Sequence, residues 1–142
     1  MTKTASQSDW RVIIDASALL ALVLNEADGA LFARAIAGAV RPRMSAVNWF
    51  EATMLVDRRG DAVAISRFDD FVARFGIEIV PFTPEQALRA RQVFRLYGKG
   101  QHPARLNFGD CMAYATAKAD GSPLLFKGND FAQTDIEPAL KG

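Results

Sequence analysis

The chain has 142 residues, half of them hydrophobic, and a formal net charge of +1, which suits one globular domain and excludes a disordered or strongly basic protein. Its single cysteine, Cys111, excludes an intramolecular disulfide, and no apolar run reaches the roughly 18 residues of a membrane-spanning helix, so we expect a cytoplasmic protein without membrane contact. A polar, loosely ordered leader is expected at residues 1–10, ahead of a single domain at 11–142.

Short strands and longer helices are predicted to alternate along the chain. In chain order, the predicted elements are a strand at 11–14, helices at 16–24 and 30–37, a pair of helices at 46–59 and from 61 to about 75, a strand at 77–82, a helix at 84–97, a helix beginning at 107, a strand at 124–126 and a short strand near 136. The run Thr83-Pro84-Glu85-Gln86 is the clearest helix start. Pro42 is interpreted as a break between helices, and residues 98–103 as a flexible basic loop.

Alternating strands and helices of this kind predict a three-layer α/β fold with a mainly parallel central sheet flanked by helices. In parallel sheets, ligands bind at the carboxyl ends of the strands. Functional residues are therefore expected directly after the predicted strands.

Four acidic residues stand at informative positions in this pattern. Asp15 follows the first strand directly, and Asp130 lies in the turn after the strand at 124–126. The helical period places Glu51 on the same face as apolar side chains, where a carboxylate is costly unless it is paired or binds a metal. Asp110 lies in the first turn of an otherwise apolar helix.

Each of these acids also has a purely structural interpretation. Asp15 could be a helix N-cap, and Asp110 could complement a helix dipole or act as a cap partner. Glu51 could lie at a partly exposed rim, and Asp130 could form an Asx turn. These interpretations do not explain why two acids follow strands while a third faces inward and a fourth opens an apolar helix, so the combination favours a shared site.

Carboxylates that converge on one site repel one another, by roughly 3 kcal/mol for a pair about 5 Å apart at an effective dielectric of about 20. A divalent cation removes this penalty, and a donor set of oxygens alone suits Mg²⁺ or Mn²⁺. Such ions also bind phosphates and promote phosphodiester hydrolysis. The pattern therefore favours a nucleic acid as the substrate.

Four segments, in order along the chain, carry a resemblance to a known family. They are residues 12–19 (VIIDASAL), 45–51 (SAVNWFE), 106–115 (LNFGDCMAYA) and 124–131 (LLFKGNDF). Together they resemble the PIN-domain toxins of the VapC type, over about residues 11–136. The resemblance implies an endoribonuclease dependent on Mg²⁺ or Mn²⁺, usually a homodimer, that is silenced by a VapB antitoxin whose C-terminal segment occupies the acidic groove.

The same resemblance assigns roles to individual residues of this chain. The four family acids match Asp15, Glu51, Asp110 and Asp130, as catalytic and metal-binding residues. Ser17 matches a small polar residue near the metal. Asn129 stands where many relatives have a further Asp, so one optional charge is absent and strong binding of a second metal ion is not expected.

Basic residues near the loop at 98–103 are candidates for RNA phosphate contacts, foremost Lys99 and Arg105, although charges on such a helix and loop can also be merely solvated. His102, the only histidine, is interpreted as a surface residue of this loop. Cys111 lies in an apolar helical stretch and is interpreted as a buried structural thiol.

Two other functions remain open from the residues. The domain could bind RNA or protein without cutting, as a catalytically silent PIN-like module. A phosphoaspartyl receiver or phosphatase domain could also place Asp15 at a strand end and Lys127 after another strand. The phosphatase fits poorly because Ser17 stands where a second Asp is needed, and an acetyl phosphate incubation would separate the two readings.

Overall fold

The computed structural model describes residues 10–140, so the predicted leader lies outside the described residues except for Trp10. The strands are β1 (Arg11–Ile14), β2 (Arg41–Ser45), β3 (Glu78–Val80) and β4 (Leu124–Leu125). The helices are α1 (Ala16–Val23), α2 (Gly29–Ala37), α3 (Ala46–Arg58), α4 (Ala62–Arg74), α5 (Pro84–Tyr97) and α6 (Phe108–Asp120). A short 3₁₀ helix covers Asp130–Gln133. No helix within residues 10–140 is long and apolar enough to cross a bilayer.

The four strands form one parallel sheet in the order β3-β2-β1-β4. Side chains of β1 alternate between two hydrophobic cores on opposite faces: Val12 and Ile14 pack with helices α1 to α4, and Ile13 packs with α5 and α6. The predicted three-layer α/β fold with helices on both sides of a parallel sheet is therefore confirmed.

Most predicted helix starts are confirmed because their capping residues form the expected hydrogen bonds. The Ser45 hydroxyl accepts from the Val47 N–H at the start of α3, and the Thr83 hydroxyl accepts from the Gln86 N–H at the start of α5. Asp28 stands at the N-cap position of α2, but its side chain makes no capping bond and accepts from Lys127 instead.

Two of the strand predictions were wrong. Pro42 was interpreted as a break, but it lies inside β2, a central strand, in register with Val12 of β1. Proline lacks a ladder donor and is rare in such strands, which hid the alternation of Arg41, Pro42, Arg43 and Met44. The strand predicted near Ile136 is only an isolated bridge between Leu124 and Pro138.

The ends of β1 and β4 lie side by side, and hydrogen bonds hold them together where the predicted site begins. The Asp15 N–H donates to the Leu125 carbonyl at 2.9 Å. Two residues further along, the Lys127 N–H donates to the Ser17 hydroxyl oxygen, also at 2.9 Å. Helices α3 and α6 contact each other across the same region.

Candidate active site

Asp15 lies at the exit of β1 and caps helix α1. One of its carboxylate oxygens, Oδ2, accepts from both the Ser17 N–H at 3.0 Å and the Ser17 hydroxyl at 2.6 Å. The residue is only 5% exposed. Burial raises the pKa of Asp15 to about 6. The hydrogen bonds from Ser17 lower this pKa, and the charge of Glu51 raises it further.

Asp110 forms a reciprocal capping box with Asn107 at the start of α6. The Asp110 N–H donates to Asn107 Oδ1 at 2.9 Å, and the Asn107 N–H donates to Asp110 Oδ2 at 3.0 Å. Burial raises the pKa of Asp110 to about 7, and the charges of the other three acids add to the shift. Asp110 is thus a cap partner and also a member of an acidic cluster.

Glu51 packs its carboxylate against the backbone of Gly109. A Cβ atom added to Gly109 would overlap the Glu51 carboxylate, so only glycine leaves room for this contact. The Asn48 amide donates to Glu51 Oε1 at 3.3 Å and to the Gly109 carbonyl at 3.1 Å. Burial raises the pKa of Glu51, and the bond from Asn48 opposes that shift.

Asp130, in contrast, is exposed and opens the short 3₁₀ helix after β4. Its charge contributes to the raised pKa of Asp110, so it lies within electrostatic reach of the buried acids. Asp130 also lines a cavity of about 410 Å³ together with Asn129, Lys99 and Arg105. The structure therefore brings the two predicted RNA-contacting cations to the edge of the acidic cluster.

In the part of the chain that the structure describes, no basic side chain pairs with the acidic cluster. None of the ion pairs found within residues 10–140 includes any of the four acids. Lys127 follows β4 close by, but its ammonium group pairs with Glu26 and Asp28. Within residues 10–140, no basic side chain therefore offsets the burial that raises the pKa values of Asp15 and Asp110.

The chemistry of this donor set fits a hard divalent cation, because all its side-chain donors are carboxylate oxygens. Across the part of the chain that the structure describes, no group of three or more His, Cys, Asp or Glu side chains is arranged so as to hold a metal ion. Mg²⁺ commonly needs only one or two protein carboxylates, with water and substrate phosphate completing its shell. Asp15 and Asp110 are the buried pair that would provide them.

Sequence reasoning missed Asn48 and Gly109. Asn48 is fully buried, and its Oδ1 atom has no hydrogen-bond partner among the described residues, so its amide group is held through the nitrogen alone. Asn48 precedes Glu51 by three residues, the spacing of one helical face, and a glycine inside the first turn of α6 costs helix stability unless it has a packing role. The spacing of Asn48 and Glu51 and the position of Gly109 were the two signals in the sequence that could have identified these residues.

Cys111 and His102, which were interpreted from the sequence as a structural and a surface residue, have no role in the chemistry of the acidic cluster. Cys111 is buried, and burial raises the pKa of its thiol to about 11, which favours the unreactive protonated form. His102 lies in the loop before α6, where its Nδ1 atom accepts from the Ala104 N–H at 3.0 Å and its ring packs edge-on against Tyr97.

We expect Gly109→Ala to lower the free energy of unfolding by up to about 1 kcal/mol, because the added methyl group must displace the Glu51 carboxylate and disturb the hydrogen bond it accepts from Asn48. Urea unfolding would measure the loss. In a Glu51→Ala background the same substitution should cost much less, since the overlapping group is gone.

Gly38→Ala is the matched control, because Gly38 has ordinary helical backbone angles and an added Cβ there has normal contacts. It should leave stability unchanged or slightly raised. Equal losses from Gly109→Ala with and without Glu51 would contradict the inferred close contact.

Comparisons with known proteins identify the family. A family model described as PIN domain matches residues 12–137. The chain is 46% identical over 127 residues to Ribonuclease VapC36 of Mycobacterium tuberculosis, covering 89% of this chain and 91% of that protein. It is 42% identical over 130 residues to Ribonuclease VapC42 of the same organism, covering 90% and 98%.

Two solved structures share the fold at low sequence identity. The M. tuberculosis toxin VapC20, described as cleaving the sarcin-ricin loop, matches with a TM-score of 0.69 at 18% identity over 88% of this chain and 95% of that chain. VapBC2 of Rickettsia felis, bound to a promoter DNA fragment, matches with a TM-score of 0.70 at 15% identity over 90% and 96%. The family match and the two curated relatives together show that the chain belongs to the PIN-domain family and, within it, to the VapC ribonucleases.

Proposed function

We propose that the chain is a cytoplasmic endoribonuclease that depends on Mg²⁺ or Mn²⁺ and acts as the toxin of a type II toxin-antitoxin system. The observation that carries the proposal is the cluster of four acids: two are buried with raised pKa values, and none is paired with a cation within residues 10–140. The names of its relatives, which are VapC ribonucleases, support the same activity.

In the proposed mechanism, Asp15 and Asp110 are the main metal ligands, and Glu51 and Asp130 complete the negative field around them. A bound divalent cation would supply Lewis-acid chemistry that activates water and neutralises charge on the phosphate. The protein orients the acids: Ser17 fixes one oxygen of Asp15 and Asn107 fixes one oxygen of Asp110, which leaves the other oxygen of each free for the site.

The substrate is proposed to be RNA, held by a local positive patch beside the acids. Lys99 and Arg105 are exposed and line the cavity that Asp130 shares. A local patch is required because the whole chain carries a net charge of only +1. Charge neutralisation by these two residues would make RNA binding sensitive to salt.

The proposal is tested by mapping new RNA 5′ ends after induced expression in bacterial cells. Cells making the chain should show new ends at defined positions, and cells making Asp15→Asn should not. Equal amounts of the two proteins must be confirmed by immunoblot. If the chain produces no new ends, or if Asp15→Asn produces the same ends, the endoribonuclease assignment fails; a catalytically silent binding module would give the first result.

The control of such an enzyme is proposed to come from a VapB-type antitoxin. Three large apolar side chains are exposed on the helices that carry Glu51 and Asp110: Phe50 at 57%, Met54 at 49% and Phe108 at 82%. Exposed apolar groups beside a functional site are typical of partner-binding surfaces. The four acids nearby would accept a basic side chain of the partner, above all a bidentate Arg.

If that arginine enters the acidic cluster, antitoxin and metal should compete. In a titration of the chain with the product of its neighbouring gene at several Mn²⁺ concentrations, the midpoint of inhibition should move upward as Mn²⁺ rises. An antitoxin lacking its C-terminal basic segment is the control and should inhibit poorly. A midpoint independent of metal, with full inhibition by the truncated antitoxin, would contradict this arrangement.

The active form is proposed to be a homodimer joined through α5. This helix of 14 residues buries only Val93, while Leu88 and Leu96 are 64% and 63% exposed. Leu88 and Leu96 are eight residues apart and therefore share one helical face.

Leu96→Glu should therefore shift sedimentation from dimer to monomer, because a charge would be buried at the contact. Ala30→Glu on the exposed side of α2 is the control and should leave the dimer intact. A monomeric unsubstituted chain at micromolar concentration would contradict the dimer.

A further inference from the structure

The cavity beside Asp130 has a composition that the acidic cluster does not explain. Its volume of about 410 Å³ lies within the roughly 300–1,000 Å³ of small-molecule sites. The polar and charged residues that line it are Lys99, Arg105, Asn107, Asn129, Asp130 and Gln133. The cavity adjoins the proposed site of cleavage, because Asn107 lines it and also forms the capping box with Asp110.

One wall of the cavity is formed by the loop between α5 and α6, and backbone hydrogen bonds join the two ends of this loop. The Leu106 N–H donates to the Tyr97 carbonyl, and the Lys99 N–H donates to the Leu106 carbonyl, both at 2.9 Å. Arg105 stands between buried Ala104 and buried Leu106 with a φ of 55°, in the left-handed region that disfavours residues with a Cβ atom. These backbone hydrogen bonds thus hold two exposed cations, Lys99 and Arg105, at the cavity.

The other wall carries two exposed carboxamides, Asn129 and Gln133, at the two ends of one short helical segment. Asn129 stands at the N-cap position, yet its side chain makes no capping hydrogen bond. A carboxamide offers donors and an acceptor together, as a nucleobase edge does, whereas a phosphate group offers acceptors only. The cations therefore suit a phosphate, and the carboxamides suit a base.

We propose that this cavity is the subsite for the nucleotide next to the scissile phosphate, with Lys99 and Arg105 on its phosphate and Asn129 and Gln133 reading its base. The inference rests on the proposed function, because it takes RNA as the substrate of the neighbouring acids. In this subsite Asn129 and Gln133 determine which base is preferred, and Lys99 and Arg105 contribute affinity for RNA of any sequence.

The test measures binding of short RNA oligonucleotides that differ at one base, in an Asp110→Asn background that is not expected to cut them. Without further substitution, one base should be preferred over the others by at least about fivefold. Asn129→Ala combined with Gln133→Ala should reduce this preference to near unity. Gln92→Ala, which removes an exposed carboxamide on α5, is the matched control and should retain the preference.

The cations are tested separately with Arg105→Gly, which keeps the backbone conformation available. This variant should melt at an unchanged or higher temperature, because glycine adopts a positive φ without a steric penalty. It should weaken all oligonucleotides about equally and lower the slope of log affinity against log salt by about 1.

Equal affinity for all four bases before the carboxamides are changed, or a preference that survives their removal, would overturn the proposal. A base preference that disappears with Arg105→Gly but not with the double substitution would also overturn it. The binding measurement does not require cleavage, so the subsite can be upheld or rejected even if the unsubstituted chain cuts no RNA, an outcome that would reject the proposed function alone.

Discussion

Asp110→Asn is expected to lower RNA cleavage by about 10²–10⁴-fold, since loss of the charge of this proposed metal ligand would cost several kcal/mol of transition-state stabilisation. The fold should survive, because the asparagine Oδ1 atom can still accept the hydrogen bond from the Asn107 N–H. Single-turnover cleavage of one RNA by equal concentrations of the two proteins measures the loss.

The same substitution should stabilise the metal-free protein at neutral and alkaline pH. The pKa of Asp110 is raised from 3.8 to about 7, so the folded protein holds this proton more tightly than the unfolded chain does. The wild-type protein therefore loses stability from this group as the pH rises from about 4 to about 7. In EDTA, Asp110→Asn should raise the melting temperature by a few degrees at pH 8 and by almost nothing at pH 4.

Two further variants separate the roles of Asp110. Asp110→Ala removes the acceptor as well as the charge, so it should be less stable than Asp110→Asn by about 1 kcal/mol. Asp61→Asn, at the exposed N-cap of α4, is the matched control and should keep its cleavage activity. A large fall in the melting temperature of Asp110→Asn, with cleavage retained, would show that Asp110 serves only as a helix cap.

Removal of divalent cations with EDTA is expected to abolish cleavage, and Mg²⁺ or Mn²⁺ should restore it. Among the described residues no cation pairs with the four acids, so the carboxylates alone provide no Lewis acid to activate a phosphodiester. Residual cleavage in EDTA should be at least about 10²-fold slower than in Mg²⁺, by the same estimate of several kcal/mol.

Thermal melting gives a readout of metal binding that does not depend on activity. At about 100 times its dissociation constant, a ligand that binds only the folded state adds about 2.7 kcal/mol of stability. Mn²⁺ should therefore raise the melting temperature of the wild-type protein and of Asp61→Asn, and much less that of Asp15→Asn. Undiminished cleavage in EDTA, together with a melting temperature that does not change with Mn²⁺, would contradict metal dependence.

Much of the fold could be predicted from the sequence because its local indications agree with the tertiary structure. The caps at Ser45, Thr83 and Asn107 each form the bonds expected of their residue types. Strand β2 could not be predicted, because its stability comes from neighbours on both sides and its Pro42 is locally unfavourable.

For the site, the sequence indicated Asp15 and Asp110 through their positions, and the structure places both among buried groups with interacting charges. The contact between Glu51 and Gly109 could not be predicted, because it depends on how closely α3 and α6 approach. The cavity also required the structure, since the loop that carries Lys99 is far in sequence from Asn129.

The pairing of β1 with β4 has a consequence for the synthesis of the protein. Ile13 of β1 pairs with Leu124 of β4, so the sheet joins residues from opposite ends of the described chain. Such non-local pairs form only after the intervening chain exists. A ribosome-bound chain that ends before β4 has Asp15 and Glu51 but lacks the Lys127 bond to Ser17 and the turn that carries Asp130. If the proposed function holds, we therefore expect the nascent polypeptide to leave RNA uncut until β4 and the turn that carries Asp130 have been synthesised.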